Sequence, residues 1–167
     1  MVNLQEVSVY LIFTILTTYY LEHITLGAMG DSFYEYLLKI WLLSGKRWDK
    51  YREMYDSAAD NIIEKLVKKS TPSDLVYIAE LIDDRIVHKM DHLVCFAGAM
   101  FALGAQGQSK EKHFEVGKGI TETCYEFYKR TVTGISGELV HFAAGSDFSF
   151  PHDARHYLLR PGKITNK

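Results

Sequence analysis

At 167 residues the chain has the length of one domain, and a composition that is 47% apolar and 13% aromatic excludes a largely disordered polymer. A formal net charge of −2, with basic residues scattered singly or in pairs, gives no positive field for a nucleic-acid backbone and excludes that class of partner. The two cysteines, Cys95 and Cys124, come with no Cys-x-x-Cys or His-x-x-His spacing, so no zinc-type motif is present.

In chain order, the uncharged run Val7–Leu21 is 15 residues long, short of the roughly 20 that span a bilayer. Glu6 stands where a signal peptide carries positive charge, and the run reads as a buried helical segment. His23 to Gly27 is an extended link. Gly30 then delivers the chain into a helix from Asp31 to about Leu43, stopped at Ser44-Gly45. Asp31 and Glu35 are four apart and share one helix face, about 5–6 Å apart at Cβ, beside Phe33, Tyr34 and Tyr36. Like charges at this spacing repel. They are either a helix cap and a first-turn acid that complements the helix dipole, or a carboxylate site facing a sugar or a cation in an aromatic wall.

A second amphipathic helix is expected over 47–69, with Trp48, Tyr51, Tyr55, Ala58, Ile62 and Leu66 as its buried stripe. Ser70 to Ser73 is a turn. Leu75–Ala79 and Arg85–His88 read as the two strands of one hairpin around Asp83-Asp84. A helix over 91–103, apolar nearly all round, needs neighbours on most sides, and Gly104 ends it. After a polar loop a further amphipathic helix covers 113–130. The glycine-rich stretch 131–150 is irregular, with Leu139–Phe142 as a candidate strand, and 155–161 leads toward another helix at Pro161. Helical hairpins whose loops alternate between short turns and longer elements build a ring of paired helices; on periodicity alone the chain is equally a helical interaction scaffold. Cys95 and Cys124 fall on adjacent antiparallel helices, where spacing leaves both a disulfide and two free buried thiols open.

Five stretches in order, ITLGAMGDSFYEYLLKIW, KKSTPS, KMDHLVCFAGAMFALGA, TCYEFY and LLRP, resemble the class I α-1,2-mannosidases, glycoside hydrolase family 47, with the plant Golgi-type members nearest in wording. The resemblance implies an all-α (α/α)7 barrel, here incomplete and carrying a small β-hairpin. It also implies calcium, and inverting removal of α-1,2-linked mannose from high-mannose N-glycans on glycoproteins, membrane-anchored in the Golgi or endoplasmic reticulum lumen. By that resemblance Asp31 is a catalytic carboxylate. Glu35, Asp91, His92 and Arg160 hold substrate, and Cys95 and Cys124 form a disulfide, which belongs to an oxidising compartment. An inverting pair of carboxyls stands roughly 6.5–9.5 Å apart with a water between. Asp31 and Glu35 are too close and too parallel for that, so one does chemistry and the other positions the sugar.

The chain departs from the family pattern at three places. Gly162 follows LLRP where the family has a catalytic glutamate; the general acid lies upstream of the matched region; and the motif with the calcium-binding threonine is absent. The expected division is a non-matching apolar segment 1–22, a partial barrel domain 23–161 and a non-matching tail 162–167. One of three catalytic carboxylates and no calcium ligand remain, as in a fragment, so turnover is expected to be negligible. The alternative is a non-catalytic mannose-glycan-binding or quality-control module using Tyr34, Tyr36, His92 and Arg160.

Overall fold

The computed structural model describes residues 23–28, 30–107, 110–156 and 158. Arg160 and the run Val7–Leu21 therefore lie outside the described residues. The first helix, α1 (Asp31–Leu43), has the expected bounds, and its end follows from local chemistry. The Ser44 hydroxyl donates to the Trp41 carbonyl at 2.7 Å and accepts from the N–H groups of Arg47 and Trp48. Gly45 and Lys46 then turn the chain with positive φ of 68° and 63°.

The second helix, α2 (Asp49–Lys65), stops earlier than its periodicity suggested, because Val67–Lys69 leaves it as a strand, β2. Its buried stripe is Tyr55, Ala59, Ile62 and Leu66, whereas Trp48 is half exposed outside the helix. The chain then supplies β3 (Val76–Ile78), β4 (Glu80–Ile82), β5 (Arg85–Val87) and β6 (Lys89–Asp91). The expected hairpin around Asp83-Asp84 exists, but its strands are β4 and β5; β3 pairs instead with β2. Asp83 and Asp84 have φ of 48° and 58°, the two positive values that a two-residue hairpin turn matched to strand twist requires.

A 3₁₀ turn, His92–Cys95, separates β6 from α3 (Phe96–Gly104), so the expected helix over 91–103 begins five residues later. The last long helix among the described residues is α4 (Lys110–Lys129), and β7 (Leu139–Ala143) and β8 (Asp147–Ser149) follow. The sheets are antiparallel throughout: β1 (His23–Ile24) with β4 and β5, β2 with β3, and β6 with β7 and β8. Among the described residues three small sheets therefore thread the helices, where one hairpin and a candidate strand over Leu139–Phe142 were expected. The reason is the length of the strands: at two to five residues each, they are too short for alternation to register in a sequence window.

The core joins Leu37, Leu38 and Trp41 of α1 to Tyr55 and Ile62 of α2, Phe101 of α3 and Phe127 of α4. Tyr77 stacks on Phe142 at 3.7 Å between ring centroids, tying β3 to β7. Where α3 and α4 pack, the backbones come within reach of each other. A Cβ at Gly117 would lie 2.7 Å from the Gly98 carbonyl oxygen and 3.0 Å from the Ala102 nitrogen. Helix propensity alone favours alanine over glycine by about 1 kcal/mol. Overpacking against rigid backbone typically costs about 1–3 kcal/mol. Gly117→Ala is therefore expected to lower the urea midpoint, although an exposed helical glycine gains from the same change.

Asp147 fastens the sheet end of the molecule. It has φ 56° and a side chain only 3% exposed. Its carboxylate accepts from the Ser70 hydroxyl at 2.6 Å, the Ser73 N–H at 2.9 Å and the Arg130 guanidinium at 2.7 Å. Burial pushes this carboxyl up, but the hydrogen bonds from Ser70, Ser73 and Arg130 outweigh it and hold the group far below the usual aspartate range. The turn at 70–73 is in this way pinned to the β7–β8 hairpin and to the end of α4.

Candidate functional site

Asp31 is the first residue of α1, and Gly30 occupies the cap position. Asp31 therefore stands one residue inside the helix, as a first-turn acid that complements the helix dipole rather than as its cap. The N–H groups of Gly30 and Asp31 both donate to the Gly27 carbonyl at 3.1 Å, closing a tight turn just before the helix. The turn is glycine-dependent at both ends. A Cβ on Gly30 would fall 2.2 Å from the Thr25 carbonyl oxygen, and one on Gly27 would fall 2.4 Å from Oδ2 of Asp91. The Asp91 carboxylate therefore lies directly against the turn that presents Asp31.

A buried acid that the sequence reading missed stands behind this turn. Glu80, 3% exposed, accepts from Thr25 Oγ1 at 2.9 Å, contacts His23 Nε2 at 2.9 Å and pairs with Lys89 Nζ at 3.1 Å. It fastens the strand entering the turn to β4 and β6. The signal for it was a lone acid within the apolar run Tyr77–Ile82. Asp91 is 3.8 Å from Lys89 Nζ. Burial pushes the Asp91 carboxyl above the ordinary aspartate range, against the pull of Lys89 and with the help of Glu80 and Glu138.

The remaining residues are placed as follows. Glu35 pairs with Lys39 on a partly exposed face of α1, which offsets its repulsion with Asp31. His92 is 2% exposed; its backbone N–H donates to the Glu138 carbonyl at 2.8 Å, and its Nε2 lies 2.5 Å from the Tyr128 hydroxyl. Asp31 is half-buried, and among the described residues its carboxylate has no hydrogen-bond or ion-pair partner. The structure thus brings Asp31, Asp91 and, next to it in sequence, His92 to one region. Cys95 and Cys124 are joined by a disulfide, with Cα atoms 6.0 Å apart. An open groove of about 740 Å³ elsewhere, bordered by Leu75, Thr121 and Tyr125, contains none of these residues. Among the described residues no three His, Cys, Asp or Glu side chains are grouped to hold a metal ion. No helix of the described residues is long and apolar enough to cross a membrane.

This backbone is that of a mannosidase-type helical fold: an α-1,2-mannosidase from Trichoderma reesei superposes with a TM-score of 0.66, at 26% identity, over 72% of this chain and 25% of that one. The chain belongs to glycosyl hydrolase family 47, whose sequence profile matches residues 5–165. Mannosyl-oligosaccharide alpha-1,2-mannosidase IA of Drosophila melanogaster is 47% identical over 143 residues, 83% of this chain and 21% of that protein. Mannosyl-oligosaccharide 1,2-alpha-mannosidase MNS1 of Arabidopsis thaliana is 45% identical over 130 residues, 75% of this chain and 23% of that protein. The chain spans about a fifth to a quarter of the length of these curated relatives.

Proposed function

We propose that the chain is part of an α-1,2-mannosidase that removes mannose from high-mannose N-glycans with inversion, built as one portion of an (α/α)7 barrel. The observation that carries this reading is Asp31: a half-buried carboxylate at a helix start, without a hydrogen-bond or ion-pair partner among the described residues, held by a turn that Asp91 presses upon. In this reading Asp31 is the chain's own catalytic carboxylate, acting on the water or the leaving oxygen. Glu35, Asp91, His92 and Arg160 position the sugar. The disulfide supports an oxidising, secretory-pathway location, Golgi or endoplasmic reticulum.

The relatives' names support the substrate class. Gly162, where the family resemblance places a glutamate, supports the second reading, a mannose-glycan-binding module without turnover. A missing acid or base group removes about 10²–10⁴ in rate. The 167-residue chain is accordingly expected to bind Man-α-1,2-Man in calorimetry, to lose that binding in His92→Ala, and to show no turnover above background. No heat at millimolar glycan would overturn both readings; clear hydrolysis by the chain would overturn the second.

A further inference from the structure

Two ties join the same two segments in register. In the 3₁₀ turn His92–Cys95, residues three apart eclipse each other, so the His92 and Cys95 side chains leave on one side. In α4, Cys124 and Tyr128 are four apart and share a face. Cys95 bonds to Cys124, and His92 Nε2 meets the Tyr128 hydroxyl, with the two rings edge to face at 5.4 Å between centroids. The covalent tie holds the two segments in the register at which hydroxyl and imidazole meet.

We propose that Tyr128 is a positioning residue that holds the His92 imidazole in its Nδ1–H form by donating its hydroxyl hydrogen to Nε2. The direction follows from chemistry. The unprotonated nitrogen of a neutral imidazole is a better acceptor than a phenol oxygen, and the phenol O–H is a more acidic donor than a neutral imidazole N–H. With Nε2 occupied as an acceptor, the ring's proton stays on Nδ1, and the ring plane is fixed from the α4 side. The functional meaning of this lock rests on the reading of His92 as a sugar contact: a ring already held in one tautomer and one plane does not pay to choose them on binding.

The test uses the full oxidised chain labelled with ¹⁵N at histidine. A long-range ¹H–¹⁵N spectrum at neutral pH should show His92 Nε2 as the bare, hydrogen-bond-accepting nitrogen and Nδ1 as the protonated one. In Tyr128→Phe, with the disulfide verified by mass, the two nitrogens should move toward the averaged values of mixed tautomers. A protonated Nε2 in the unsubstituted chain overturns the proposal even if Tyr128→Phe fails to fold, and so does a His92 spectrum unchanged in the variant. Where the unsubstituted chain binds Man-α-1,2-Man, Tyr128→Phe should weaken binding about tenfold, equivalent to ~1.4 kcal/mol; equal affinity would overturn the positioning role. Absence of binding by the unsubstituted chain overturns the function proposed above, while the spectrum still decides the tautomer.

Discussion

Asp147→Ala is expected to cost the fold about 3 kcal/mol, seen as a lowered urea midpoint with an unchanged slope. The carboxylate has three donors, and its loss leaves the Ser70 hydroxyl and the Ser73 N–H without their acceptor in a covered site. Arg130 is more exposed and also pairs with Glu126, so its share is screened and the sum stays below three full charge-assisted bonds. Asp147→Asn, which keeps an acceptor oxygen, should cost about half as much. The same site gives a pH dependence with a definite sign. The folded-state pKa is depressed, so the stabilisation is complete above the unfolded aspartate value of about 3.9 and is lost as pH falls below it toward the lower folded value. Midpoints measured from pH 6 down to pH 2 should fall less steeply in Asp147→Asn than in the parent. Parallel curves would mean that the carboxylate contributes nothing to acid lability.

The second large effect belongs to the disulfide. Cys95 and Cys124 are 29 residues apart, and closing a loop of that size restrains the unfolded chain by about 3.5 kcal/mol in the chain-entropy account. Reduction, or the double change Cys95→Ala and Cys124→Ala, should lower stability by roughly that amount. Because the reduced chain exposes more surface when unfolded, the denaturant slope should rise as well. A midpoint insensitive to dithiothreitol would show that the non-covalent packing of α3 on α4 suffices.

The helices α1, α2 and α4 were legible because their apolar residues recur at helical spacing over several turns, and the bounds of α1 were legible because Gly30 and Ser44-Gly45 punctuate it. The errors came where a few residues change state. Val67–Lys69 continues the stripe of α2 by periodicity, yet is drawn into a sheet by Val76–Ile78, a partner that local sequence cannot announce. Lys89–Asp91 likewise pairs with Leu139–His141, a partner far along the chain. The candidate site was only partly legible. Asp31 and Asp91 were named from motif, but Gly27 as the contact between their segments, Glu80 behind the turn and Tyr128 against His92 depend on proximity between residues 36 to 64 positions apart.

The fastenings of this molecule differ in when a growing polypeptide can make them. Cys124, in α4, follows Cys95 by 29 residues, so the covalent link can close while translation is still under way. The Ser70–Asp147 contact waits for another 77 residues after its first member, by which time α3 and α4 have long been synthesised. The covalent link therefore becomes available to the emerging chain before the carboxylate latch does.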